Sequence, residues 1–154
     1  ARFIFCGIGA KENEIKKSCE KLNNCVFAGW INAAQIKTIL ELSDIGLAPY
    51  IQTKNFTDNI PNKPAEYLSE SLVIATTLTK GKLHEFIYSK NCGFSYGNNP
   101  EKLASSIRHL ASDNQYLRKM IRNSDESFHS ELDGKKIYSD MINFLEEIAV
   151  KNSI

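Results

Sequence analysis

Short apolar runs alternate along the chain with longer stretches in which apolar residues recur every three or four positions. That alternation predicts βα units around a parallel sheet. Phe3-Ile4-Phe5-Cys6 reads as a first strand, ended by Gly7-Ile8-Gly9. Lys11 to Leu22 follows with Ile15, Cys19 and Leu22 at helical spacing and Lys and Glu on the opposite face. Cys25-Val26-Phe27-Ala28 is a second strand, closed by Gly29. Asn32 and Gln35 form a capping box for a helix whose Ile36, Ile39 and Leu40 share one face. A third strand is Ile45-Gly46-Leu47-Ala48, ending at Pro49-Tyr50. The polar segment from Ile51 to Pro61 is longer than a connection requires, which marks it as a functional loop. Asn62 is the expected cap of a short helix through about Ser71, with Pro64 tolerated in its first turn.

The second half of the chain continues the pattern and then leaves it. Leu72-Val73-Ile74-Ala75-Thr76 is apolar enough to be a strand buried on both faces. Leu83, Phe86 and Ile87 mark a helix after Gly81, and Cys92 to Tyr96 an edge strand. From Asn99-Pro100 onward the pattern stays helical, with one stripe through Leu103, Ile107 and Leu110 and another through Tyr116, Leu117, Met120 and Ile121. Asp133-Gly134 interrupts it before a last amphipathic helix with Ile137, Met141, Phe144, Leu145 and Ile148, expected to pack. The sum is an α/β fold: a Rossmann-like parallel sheet with flanking helices and a helical C-terminal tail. In such sheets ligands bind beyond the carboxyl ends of the strands, so Gly7-Ile8-Gly9, Gly29-Trp30, the Tyr50–Asn62 loop and Thr76–Gly81 are expected on one rim.

Composition narrows the classes. The 154 residues are 42% hydrophobic and 24% charged, with a net charge of +1. That describes one globular domain spanning 1–154, without the basic excess of a nucleic-acid footprint. No run is long enough for a membrane span, and no signal peptide is evident at the N-terminus, which points to the cytoplasm. Cys6, Cys19, Cys25 and Cys92 form no CxxC pair, so they read as small buried hydrophobes in a reducing compartment. The chain begins without Met inside an apolar run, which raises the expectation of a cut within a larger protein.

Several catalytic motifs fail. Gly7-Ile8-Gly9 starts like a dinucleotide fingerprint, but Glu12 stands at the third glycine and the second strand ends in Ala28-Gly29-Trp30 rather than an acid, so NAD is disfavoured. A tight strand-to-helix turn explains the glycines better. His84-Glu85 lacks the second histidine of a zinc protease, because Tyr88 holds that position; no nucleophile elbow or P-loop is present.

Asp58 to Leu68 is the most informative stretch. It joins a carboxylate, a proline-shaped loop, a helix start with Lys63 beside it, and a second carboxylate, Glu66, near the first turn. A helix N-terminus suits a phosphate, and a carboxylate can accept two hydrogen bonds from a ribose diol. The competing explanation is structural: Glu66 complements the helix dipole while Asn62 caps it. On the residues alone the two stand level.

In order, Phe-Cys-Gly-Ile-Gly, Cys-Val-Phe-Ala-Gly-Trp-Ile, Leu-Ser-Asp-Ile-Gly-Leu-Ala-Pro-Tyr, Ile-Pro-Asn-Lys-Pro-Ala-Glu-Tyr-Leu and Val-Ile-Ala-Thr resemble the C-terminal, donor-binding half of GT-B glycosyltransferases, of the family-4-like group. The resemblance runs from Phe3 to the final helix. It implies a nucleotide-sugar donor (UDP-, GDP- or ADP-sugar) as substrate, no further cofactor and no metal site. The family's two acidic residues fall on Asp58, which would contact the transferred sugar, and Glu66, which would hold the ribose. Gly29, Trp30 and Ile31 correspond to the segment lining the nucleobase, and Ile60, Pro61, Asn62 and Lys63 to the turn near sugar and phosphates; Gly7 and Gly9 belong to the same expected donor site. Asp58 is one methylene shorter than the usual glutamate, and Ser71 and Val73 replace a common glycine and proline. The resemblance further implies that the acceptor-binding N-terminal domain and a first βα unit lie outside these residues. The whole enzyme would then move a sugar to a glycan, lipid-linked or other acceptor hydroxyl in surface glycan synthesis, with possible peripheral contact at the inner membrane through that other part. The fragment alone would be inactive. Other classes compatible with the residues are a GT-B-shaped epimerase or phosphorylase and a noncatalytic Rossmann-like binding module.

Overall fold

The computed structural model describes residues 1–151. They form two compact units, Ala1–Leu42 and the chain from Ser43 onward. Every strand pairing is parallel, as the βα alternation requires.

The first unit contains β1 (Phe3–Cys6), α1 (Glu12–Ser18), β2 (Cys25–Gly29) and α2 (Ala33–Glu41). β1 and β2 form a two-stranded sheet with Phe5 opposite Phe27, their rings stacked at 4.9 Å, and a register shift that sets Cys6 against Gly29. Lys16 closes an ion pair with Glu12 at 2.6 Å and lies over the Phe27 ring at 5.8 Å. The helix expected through Leu22 ends at Ser18. Cys19 caps it, and the Leu22 amide turns back to the Cys19 carbonyl at 2.8 Å, which leaves Leu22 exposed. The capping box forms as expected: Gln35 N donates to Asn32 Oδ1, and Asn32 N to Gln35 Oε1, both at 3.0 Å. Ile36, Ile39 and Leu40 are half-buried on one face of α2.

The second unit contains β3 (Ile45–Ala48), α3 (Lys54–Thr57), α4 (Asn62–Ser69), β4 (Val73–Thr76), α5 (Lys82–Ser89), β5 (Gly93–Ser95), α6 (Pro100–Ser112) and α7 (Asn114–Ser127). A π-helical turn, Phe128–Leu132, then leads to α8 (Gly134–Lys151). The sheet order is β3-β4-β5, so β4 is central, and all its residues are buried as its apolar run predicts. Leu68, Ile74, Leu78, Leu83 and Ile87 form the main core cluster; Val73, Leu110 and Met120 form a second, with Tyr116, Leu117 and Ile121 packed on it. Asn99 caps α6 by accepting from Glu101 N and Lys102 N, and Asp113 caps α7 by accepting from Tyr116 N.

Two helices of this unit end in the same way. After α4, Leu72 N donates to Tyr67 O and Ser71 N to Leu68 O, both at 2.9 Å, with Ser71 at φ +63°. After α5, Cys92 N donates to Ile87 O and Asn91 N to Tyr88 O, with Asn91 at φ +48°. Both are Schellman terminations that reverse the chain directly into the next strand. This ends α4 at Ser69, short of the Ser71 expected. Glycine would adopt the φ of Ser71 without steric cost. Ser71 Oγ hydrogen-bonds Asp125 at 3.1 Å, which offsets part of that conformational cost.

Three further expectations change. The polar segment after Tyr50 is not all loop, because Lys54–Thr57 forms one helical turn with Thr57 buried. Of the cysteines, only Cys92 is buried; Cys6 is exposed, and Cys19 and Cys25 are intermediate. Finally, α8 does not pack as expected. Ile137, Met141, Phe144, Leu145 and Ile148 are all exposed, because α8, although part of the second unit, chiefly touches the π-helical turn before it rather than the sheet or the other helices. Among the described residues no helix is long and apolar enough to cross a membrane.

Candidate functional site

The carboxyl ends of β3 and β4 are tied together by side chains. Thr76 Oγ1 donates to the Ala48 carbonyl at 3.0 Å and accepts from Leu78 N at 3.2 Å, while Thr77 Oγ1 donates to the Tyr50 carbonyl. Gln52 Oε1 accepts from both the amide and the hydroxyl of Thr79. These bonds replace ladder pairing just where the sheet ends, so the chain leaving β3 is held against the chain leaving β4. Tyr50 stacks on Phe56 at 4.6 Å, and both rings pack on the core.

α4 starts at this rim, and Gly46 lets it approach. A Cβ on Gly46 would stand 2.3 Å from the Tyr67 ring, so glycine in β3 makes room for the helix face that follows Glu66. Tyr67 hydroxyl donates to the Leu47 carbonyl at 3.2 Å, and Pro64 and Leu68 are buried. With that face fixed, Lys63 and Glu66 stand on the exposed side, paired at 2.8 Å.

The helix start differs from the expected one. Pro61, extended at ψ 160°, is the N-cap, Asn62 is the first helical residue, and no side chain caps the helix. Pro cannot donate, so of Pro61–Pro64 only Asn62 and Lys63 carry amide hydrogens, and the Asn62 side chain does not satisfy them. That removes half of the structural explanation for the motif: Asn62 is not the cap. The positive end of α4 presents two amides and an ammonium group close to a carboxylate.

Tyr50 joins this group, although nothing in the sequence singles it out beyond its place at a strand's carboxyl end. Burial raises its phenol above the ordinary value; Tyr67 and Glu66 push the same way, and Lys63 opposes them. The phenol therefore feels the charges of the Lys63–Glu66 pair. Asp58 follows α3 and is exposed; it accepts from Thr57 Oγ1 at 3.0 Å. Thr57 in turn lies against Gly81, where an added Cβ would meet the Thr57 carbonyl at 2.4 Å. Ile60 and Pro61 are half-buried between Asp58 and α4.

The remaining candidates belong to the first unit. Gly7 N donates to the Gly29 carbonyl at 2.6 Å, closing β1 against β2 at their carboxyl ends. Gly7 at φ +108° and Gly29 at φ +66° have backbone angles that favour glycine. Gly9 has no positive φ and open space around it, so the turn does not require glycine there. Trp30 is 72% exposed beside half-buried Ile31. Two shallow surface concavities lie elsewhere, one along α6 around Lys102 and Arg108 and one at the start of α7 around Tyr116 and Lys119; neither includes a candidate residue.

Parallel sheets with flanking helices place the chain among Rossmann-like α/β proteins, and the uncapped start of α4 with a cation beside it is suited to an anion. The family is specific: the profile described as glycosyl transferases group 1 matches residues 1–113, and the chain belongs to that family. Among solved structures it is similar to a sucrose-phosphate synthase from Thermosynechococcus elongatus, with a TM-score of 0.74 at 11% identity over 96% of this chain. The chain spans 38% of the length of that structure. No curated protein sequence matches it.

Proposed function

We propose that these residues form the donor-binding half of a GT-B glycosyltransferase that moves a sugar from a nucleotide-sugar to an acceptor hydroxyl. Glu66 accepts the two ribose hydroxyls of the donor. The amides of Asn62 and Lys63 and the Lys63 ammonium take its phosphates, and Asp58 faces the transferred sugar. Catalysis needs the acceptor hydroxyl and the anomeric carbon held together, with charge on the departing phosphate stabilised by helix dipole and cation. In this reading another part of the enzyme binds the acceptor, and the role in surface glycan synthesis is carried by the family resemblance. This chain by itself binds nucleotide weakly and transfers nothing.

The observation that carries the reading is the exposed Glu66 carboxylate one helical turn from the uncapped start of α4, paired at 2.8 Å with Lys63. Ion pairs this exposed contribute little to stability, so stability does not account for holding the two groups there. Ribose binding gives the carboxylate hydrogen-bond donors, and phosphate gives the ammonium a new partner. A thermal-shift panel with UDP, GDP and ADP tests it. One of the three should raise the melting temperature of the wild type by a few degrees and leave Glu66→Ala unmoved. An equal shift in both proteins, or none with any nucleotide, contradicts the assignment, as does sugar transfer by the isolated chain.

A further inference from the structure

Cys19 and Cys25 stand at the two ends of the turn joining α1 to β2. Each is fixed by its backbone. Cys19 N donates to Ile15 O at 3.0 Å and Lys16 O at 3.1 Å, and its carbonyl takes the Leu22 amide. Cys25 opens β2 in register with Phe3, and Phe3 N donates to the preceding Asn24 carbonyl at 2.8 Å. Both residues are free thiols of intermediate exposure; Cys25 Sγ donates to Asn24 Oδ1 at 3.9 Å, and burial together with the neighbouring Cys19 thiol raises the Cys25 thiol above its ordinary value. The expected donor site uses neither, since Gly29, Trp30 and Ile31 lie at the opposite end of β2.

We propose that Cys19 and Cys25 are a reversible dithiol–disulfide couple, a modification site that on oxidation ties the end of α1 to the start of β2. With a peroxide as oxidant, one thiolate attacks the O–O bond and becomes a sulfenic acid as water leaves. The second thiol attacks that sulfur, forming the S–S bond and releasing a second water. Two thiols lose two electrons and two protons in all, and the peroxide accepts them. A small dithiol returns them by exchange.

Neither other cysteine competes. Cys6 stands opposite Gly29, so roughly 10 Å of ladder separates its level from that of Cys25, more than a disulfide spans. Cys92 is fully buried in the core of the second unit. The staple falls in the unit whose residues include none in the buried class, where restricting the unfolded chain has most to add.

The test is oxidation of the purified chain with hydrogen peroxide, followed by alkylation, intact mass and peptide mapping. The expected product is lighter by two hydrogens, has lost two of its four cysteine thiols, carries a Cys19–Cys25 cross-link and reverts in dithiothreitol. Hydrogen exchange across α1 and β2 should slow several-fold on oxidation in the wild type and stay unchanged in Cys19→Ser and Cys25→Ser, with circular dichroism establishing that both variants fold. A cross-link through Cys6 or Cys92 overturns the proposal. So does conversion of Cys19 or Cys25 to sulfinic acid with no link between them.

Discussion

The two units are built from the same kind of sequence and reach very different degrees of burial. Each alternates short apolar strands with amphipathic helices and pairs its strands in parallel. In the first, no residue from Ala1 to Leu42 is buried, whereas every residue of β4 in the second is. The difference lies in strand count. A two-stranded sheet consists only of edges, and two strands alone are marginal in water. A third strand makes β4 central, so its Val73, Ile74 and Ala75 meet neighbours on both sides and on both faces. Alternation along a sequence thus specifies elements, while burial depends on how many of them share a sheet.

Truncating core side chains should separate the units most sharply. Ile74→Ala in the second unit is expected to cost about 2–5 kcal/mol, because Ile74 is fully buried. Val26→Ala in β2 should cost under about 1 kcal/mol, since Val26 is 41% exposed. Urea unfolding of both variants checks the ratio, and equal losses would break the comparison.

Glycine replacement gives the next largest contrast. Gly81→Ala combines a positive φ with a Cβ 2.4 Å from the Thr57 carbonyl, so a loss of about 3 kcal/mol is expected. Gly7→Ala has a positive φ but nothing within 4 Å, so only the backbone cost of about 1 kcal/mol applies. The two melting temperatures, read by circular dichroism, should fall in that order.

The cysteines extend the comparison to pH. Burial pushes the Cys92 thiol up from 9.0 to about 11, Ser127 and Lys90 opposing and Glu131 adding to the rise. Between those values the folded chain keeps a proton that the unfolded chain has lost, so stability present below pH 9 falls as pH rises toward 11. The loss should reach roughly 2 kcal/mol and be absent from Cys92→Ala. Near neutral pH, exposed Cys6 should react with Ellman's reagent while Cys92 stays inert until the chain unfolds. The smallest effect is a gain: Ser71→Gly relieves φ +63° but loses the bond to Asp125, for a net stabilisation of under about 1 kcal/mol.

Much of this was legible in the sequence because local chemistry determined it. The strands, the Asn32–Gln35 box, the Asn99 cap and the stripes of α6 and α7 each follow from side chains a few positions apart. What was not legible depends on groups distant in sequence or on main chain. The Schellman ends at Ser71 and Asn91 are backbone reversals without a glycine to announce them. Asn62 looked like a cap, but Pro61 sets the helix one residue earlier and takes the cap position. Tyr50 enters the site because β3 ends where α4 begins, a juxtaposition no spacing rule contains. The exposed face of α8 reads as a packing face because amphipathicity records an apolar stripe without naming what covers it.

The central claim is that the start of α4 in the second unit holds the phosphates and ribose of a nucleotide. Hydrogen exchange with and without UDP, GDP and ADP reads this at the residues concerned. The account predicts that one nucleotide slows exchange at the amides of Asn62 and Lys63 and that Glu66→Gln abolishes the effect. No change at α4 with any of the three, or protection that survives Glu66→Gln, would contradict it.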